Sequence, residues 1–449
     1  MEVKNNESLL QVGFGREKIM PETPVYISGG GNPNRISTGV LDELFITCVA
    51  LTDDSDNTVL LFTQDLQQVA KNFIPPALEA VTEATGVPKE NIMIAATHTH
   101  SCPGQHLGRT GIKEFQQVYI AGAVKAAKTA MADRSAAEIA VGSTQAKGLV
   151  FVRHYLLSNG TYAGSAYGDF KSGTIVRQAN DSDETVQLIR FAREGKKDIL
   201  LMNHGSHATF NGNIKLTNIS ADFPNPTREY IEYNSDCLVA YFLAAAGDQV
   251  PQSRHEEINH GLEYKGYGAK LGQYVIDALP TLTPRKTGKL NLVGKIFTAE
   301  TNRHSLDKLE QATETYEAFL EGSYKLANPL VKKYGFQSPY EARAIFNNSR
   351  LDATIDMEVF ALAMGETAFI FAPYEMFGCN GRYIRENSPY DMTFVITHAN
   401  ACYDYVPSDF AFEIYCYEAF AGKVARGTGE KFAQQYVDML KELKNGQYN

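Results

Sequence analysis

This chain of 449 residues lacks long apolar runs, clustered cysteines and blocks of like charge, and each absence removes a class of function. No segment approaches the roughly 18 uncharged apolar residues that a membrane span requires. The N-terminal Met1-Glu2-Val3-Lys4-Asn5-Asn6-Glu7-Ser8 is polar and has no hydrophobic core of a secretion signal. The expectation is a soluble, cytoplasmic protein with no integral membrane segment. Six cysteines, Cys48, Cys102, Cys237, Cys379, Cys402 and Cys416, are scattered without C-x-x-C spacing. That pattern reads as buried thiols rather than disulfides or a structural zinc knuckle. Acidic and basic residues are interspersed, for a net charge of −10, which argues against nucleic acid or an anionic membrane as the main partner. There is no internal repeat and no low-complexity tract.

What is present is a β-α-β-α rhythm. Strands are predicted at Asn57 to Asp65 and Asn91 to Thr97, and helices at Pro75 to Thr85 and Glu114 to Ala132. Further strands are expected at Glu138 to Gly142, Thr185 to Phe191, Asp198 to Asn203 and Leu238 to Ala244, with a helix at Pro226 to Asn234. Residues Leu306 to Asn347 read as an amphipathic helical insertion, interrupted at Pro329 and Pro339. Strands return at Ile355 to Ala363, Thr367 to Ala372 and Thr393 to Thr397, and a helix closes the chain from Gly429 to Leu443. The expected fold class is α/β, a large mixed β-sheet core flanked by helices, with the chain organised as a single domain over 1–449 in one or two lobes.

Chemistry concentrates where apolar runs stop. Ile92-Met93-Ile94-Ala95-Ala96 runs into Thr97-His98-Thr99-His100, and Pro103-Gly104 ends it. At the C-terminal end of a strand, where open α/β sheets place ligands, residues i and i+2 share a face, so both rings can reach one point. An isolated H-x-H pair is as readily two satisfied turn residues; the later clusters raise its weight. Leu200-Leu201-Met202-Asn203 leads into His204-Gly205-Ser206-His207, whose two histidines lie on opposite faces if extended, so at most one points at His98. Ala368 to Ala372 leads into Pro373-Tyr374-Glu375, a strand-end carboxylate. Two histidines and a glutamate are a ligand set familiar for catalytic zinc, which keeps one position open. The fourth piece, Val395 to Ser408 followed by Cys416-Tyr417-Glu418, is rich in tyrosine, a donor that can meet a metal or a developing oxyanion.

Together with Val12-Gly13-Phe14, Gly39 to Leu44, Ser220-Ala221-Asp222-Phe223-Pro224 and Ala246-Gly247-Asp248, these pieces resemble the neutral/alkaline, non-lysosomal ceramidase family, in the zinc-containing catalytic domain. The resemblance covers most of the chain and is weakest over Leu306 to Asn347. It implies Zn2+ as cofactor, with His98, a histidine of the second cluster, Glu375 and Tyr405 as ligands. The family pattern of an Asn followed by His, a small residue and Thr fits His207 better than His204. It further implies His100, Arg153 and Tyr417 as catalytic residues that bind substrate and stabilise charge. One departure stands out: the family's Gly-Asp-x-Ser-Pro serine is Val250 here, in Gly247-Asp248-Gln249-Val250-Pro251, and valine neither attacks nor donates. The expectation is that the chain ends after the catalytic domain with no C-terminal immunoglobulin-like domain, unlike ceramidases that meet membrane lipids.

The function this implies is a zinc-dependent hydrolase that attacks an amide or ester bond of a soluble small-molecule substrate with zinc-bound hydroxide. Two rivals stand beside it. One is a zinc-dependent lyase or carbohydrate-active enzyme in which Arg153 binds a substrate carboxylate; the other is a catalytically inactive homologue that binds a ligand, which Val250 makes plausible.

Overall fold

A computed structural model describes residues 10–29, 35–214, 216–255, 261–303 and 305–447; the N-terminal Met1 to Ser8 segment lies outside the described residues. The core is two β-sheets stacked face to face with helices on both outer faces. The first sheet runs in the order Cys237–Leu243, Asp198–His204, Thr185–Arg193, Ser135–Gln145, Leu10–Lys18, Phe45–Thr52, Thr58–Gln64, Ile92–Ala96, with Thr283–Arg285 added beside Ser135–Gln145. Its two terminal pairs are parallel and the strands between them antiparallel. The second sheet has the order Leu290–Glu300, Thr354–Met364, Thr367–Phe371, Met392–Ile396, and its last pair is parallel.

This layering explains why the strands read as unbroken apolar runs. In Ile92–Ala96, Met93 and Ala95 enter the core between the sheets, while Ile92, Ile94 and Ala96 face the core under helices Ile74–Thr85 and Ile112–Ala132. All five residues are buried, so alternation has no polar face to report. Helices Pro224–Asn234 and Tyr264–Ala278 cover another part of the first sheet. Helices Gly378–Asn387 and Thr428–Lys444 cover the second. The large mixed sheet flanked by helices is therefore as expected, and the second sheet stacked on it is the feature that local pattern did not separate.

Two local expectations are corrected. The strand stops at Ala96, and His98 has φ +64, so His98 and His100 converge through a left-handed turn and not through strand alternation. The helix Leu309–Tyr334 passes through Pro329 and ends at left-handed Gly335, with φ +71. A helix this long gives up one N–H bond at proline and continues. Pro339 is the first residue of the next helix, Pro339–Asn348, a position where its missing N–H has no helical partner to lose. Among the described residues, no helix is long and apolar enough to cross a membrane.

Candidate metal centre

The loop 397–400 from the second sheet hydrogen-bonds along the edge strand of the first. Asn400 accepts from Ile94 N at 2.7 Å through Oδ1 and donates its own N–H to Ile94 O at 2.8 Å. Ala96 N donates to His398 O at 3.2 Å. Strand ends of both sheets thereby meet at one place, and they carry the candidate ligands there.

His98 sits with Nδ1 at 2.6 Å from Gln67 O. His207, in the loop after Asp198–His204, has Nδ1 at 2.8 Å from Ala246 O and 3.0 Å from Gln249 O. A carbonyl only accepts, so both rings carry their proton on Nδ1 and turn an Nε2 lone pair into the site. Glu375 opens the two-residue strand Glu375–Met376, in parallel register with Tyr405–Val406 so that Glu375 and Tyr405 are direct neighbours. Its Oε2 lies 3.2 Å from His207 Nε2 and 3.5 Å from His98 Nε2, is buried, and has no hydrogen-bond partner among the described residues. Acceptors thus face acceptors. His100 Nε2 is 3.1 Å from His98 Nε2 and can donate to it, while Arg153 Nη1 lies at the long distance of 3.5 Å from His207 Nε2. A cation suits such a set better than any neutral arrangement, and the outer carbonyls orient the two imidazoles as second partners do in metal sites. His98, His100 and His207 form one group whose ligand atoms converge closely enough to hold an ion; His98, Glu375 and His398 form another.

Electrostatics agree with this arrangement. Burial lowers His98 to about 4 and His207 to about 3, so both are neutral and ligand-ready near pH 7. Burial raises the Glu375 carboxyl, against the opposing pull of His98 and Arg153, and raises the Tyr405 phenol well above its ordinary range.

Above the centre lies a cavity of about 800 Å³ lined by His98, His100, Arg153, Val250, Glu375, Tyr405 and Tyr417, among others. Arg153 is fixed from several sides: Nε donates to Glu418 Oε1 at 2.6 Å, and Nη2 donates to Gly247 O at 2.9 Å and to Tyr405 Oη at 3.1 Å. Glu418 is wholly buried, and its Oε2 also lies 3.3 Å from His154 Nε2. Tyr417 opens the short helix Tyr417–Ala421 and packs edge-on to Tyr405 at 5.7 Å between centroids. Its phenol is pushed up to about 12 by burial, with Arg343 and Arg153 opposing.

His100 is held by close backbone approach. A Cβ on Gly29, at φ +87, would meet His100 Cβ at 2.8 Å, and one on Gly212 at 2.6 Å. Gly212 lies in the short helix Phe210–Ile214, tied down where Asp222 accepts from Asn211 N at 2.7 Å. Asp42 accepts from Ala221 N at 2.7 Å and from Ser220 Oγ. The Ser220 to Pro224 motif is thus a support for the histidine turn.

The structure brings His98, His100, Arg153, His207, Glu375, Tyr405 and Tyr417 to one place. His204 is elsewhere: its ring packs against Phe223, with Nε2 3.5 Å from the Tyr267 hydroxyl. Sequence reasoning passed over His398, which stacks on His98 at 4.0 Å between centroids, although it follows the apolar run Phe394-Val395-Ile396 as the other candidates follow theirs. It also passed over Glu418 as the partner of Arg153.

No family profile matches the sequence, and no curated protein matches it. Solved structures do. A neutral ceramidase from Pseudomonas aeruginosa superposes with a TM-score of 0.74 at 17% identity, over 98% of this chain and 75% of that one. A ceramidase complexed with C2 gives 0.72 at 16% identity, over 98% and 76%. The chain has the neutral ceramidase fold.

Proposed function

We propose that this protein is a zinc-dependent hydrolase that cleaves an amide or ester bond of a small soluble substrate. The observation that carries this is the set of facing acceptors, His98 Nε2, His207 Nε2 and Glu375 Oε2, at the foot of a large cavity on a fold shared with ceramidases. His98, His207, Glu375 and Tyr405 would hold the metal. Zinc bound there supplies a Lewis acid and acidifies water.

The remaining chemistry belongs to the protein. Arg153, locked by Glu418 and Gly247, presents a guanidinium that can bind the oxygen of the attacked group. Tyr417 makes no hydrogen bond to a described residue and lines the cavity, so its hydroxyl is available to donate to developing negative charge. His100, kept neutral by burial, can exchange a proton at Nε2. Val250 lines the same cavity and offers no nucleophile, so water is the attacking group in this reading.

Two measurements test it. Metal content by mass spectrometry should show about one zinc per chain, lost in His98→Ala and Glu375→Ala; a wild-type chain that takes up no zinc sinks the proposal. On a turned-over substrate, oxygen-18 from water should enter the product, whereas an unsaturated, unlabelled product would establish the lyase.

A further inference from the structure

The helical segment Leu309–Tyr334 and Pro339–Asn348 carries no motif of its own, yet it supplies one wall of the cavity through Tyr316, Phe319, Tyr340 and Arg343. Arg343 is the unusual member. Its guanidinium makes no hydrogen bond and no ion pair with any described residue, and it lies over the Tyr340 ring at 5.1 Å. The carboxylate beside it, Asp404, is already engaged by Lys423 at 2.7 Å. Glu375, the other acidic lining residue, belongs to the centre described above. Half-buried, the guanidinium keeps its charge through the surrounding field of Tyr417, Asp404 and Tyr340 but has no described hydrogen-bond acceptor, and a planar oxyanion would supply two parallel N–H bonds.

Position decides what that anion can be. Tyr340 packs against Tyr417 at 5.7 Å, and Tyr417 against Tyr405 at 5.7 Å, so Arg343 stands two ring contacts from the candidate metal ligands, beside the hydroxyl of Tyr417. Arg343 also borders a second, adjoining cavity of about 540 Å³ that shares Tyr316, Asp404, Tyr405 and Tyr417 with the first. The two cavities adjoin, so one molecule can reach both Arg343 and the centre while the group at Arg343 is distinct from the bond over the centre.

We propose that Arg343 binds a carboxylate of the substrate, against the aromatic wall of Tyr340 and Tyr417, and so selects acidic amides or esters over neutral ones. The word substrate rests on the hydrolase reading; binding of the carboxylate at Arg343 does not.

The test uses N-benzoylglycine and its uncharged amide as probes, titrated calorimetrically into the full chain after chelator treatment and again after zinc loading. Chelation removes direct carboxylate binding to metal. The acid should bind about tenfold or more tighter than the amide in both states. Arg343→Ala, with unchanged thermal unfolding, should lose that preference, and Arg343→Lys should keep part of it, having charge without the fork. Equal binding of the two probes, binding of neither, or an undiminished preference in Arg343→Ala overturns the proposal. A wild-type chain that takes up no zinc but shows the Arg343-dependent preference overturns the hydrolase reading alone. A zinc-loaded chain without the preference overturns this one alone.

Discussion

Replacing Glu375 by Gln should raise the stability of the metal-free protein and remove most of the stabilisation that zinc adds. In the metal-free protein, Oε2 is a buried acceptor facing the Nε2 lone pairs of His207 at 3.2 Å and His98 at 3.5 Å. An unmet buried acceptor costs about 1 to 3 kcal/mol. The side-chain amide introduced by Glu375→Gln would donate into one of those lone pairs, so the metal-free variant should be more stable than wild type by about that amount. With zinc at about 100 times its Kd, wild type gains roughly 2.7 kcal/mol, and the variant, short of one anionic ligand, should gain little. The sign also follows pH. The folded carboxyl is raised, so between its unfolded value of about 4.3 and its folded one the native state binds more protons and wild-type stability falls as pH rises. Gln does not titrate, so the advantage of the metal-free variant should be absent near the unfolded value and grow above it. Urea unfolding of chelated and zinc-loaded protein at both ends of that range reads all three quantities. A chelated Glu375→Gln that is less stable than wild type above the carboxylate range, or one that zinc stabilises as much as wild type, would refute the reasoning.

Three further outcomes are expected. His207→Ala should abolish zinc binding, whereas His204→Ala should keep it and lose about 2 to 4 kcal/mol by emptying the space against Phe223 and Tyr267; metal analysis with urea unfolding of both distinguishes the two histidines. Glu418→Ala strands Arg153 as an unpaired buried charge and should cost about 3 to 5 kcal/mol, with Glu418→Gln milder because its carbonyl still accepts; unchanged unfolding in both would show that the pair contributes nothing. Burial raises Asp222 to about 7 and Asp42 to about 6, so folded protein holds these protons more tightly and stability should fall from pH 4 toward 7, by on the order of 3 kcal/mol for Asp222. Asp222→Asn should flatten that slope in an unfolding series across the range, and an unaltered slope would mean the carboxyl ionises at its ordinary value.

The residues at the ends of the apolar runs were legible before any fold was known. A short apolar run bounded by turn residues, such as Ile92 to Ala96 or Ala368 to Ala372, suits an interior strand, and a histidine or carboxylate at its end sits where the chain leaves the core. That logic alone selected His98, Glu375 and the stretch containing Tyr405 as candidates. His398 obeyed the same rule and was passed over because nothing local separates it from a satisfied loop residue. The helices expected at Pro75 to Thr85, Glu114 to Ala132, Pro226 to Asn234 and Gly429 to Leu443 match the structure to within about two residues at each end, whereas the helices Tyr264–Ala278 and Gly378–Asn387 were not anticipated and Leu309–Tyr334 continues through Pro329.

Convergence was decided only by tertiary structure. Asn400 and Ile94 are 306 positions apart, and their hydrogen bond is what carries the loop after one sheet to the edge strand of the other. Spacing along the chain left His204 and His207 as alternatives, because facing is a property of the backbone path; one ring entered the core and the other met carbonyls of Ala246 and Gln249. The pairing of Arg153 with Glu418, and the lack of an ion pair for Arg343 among the described residues, likewise have no local signature. Sequence determined which side chains sit at strand ends, since burial of apolar surface is dictated residue by residue; the fold determined which of them share one point, since that depends on how two sheets stack.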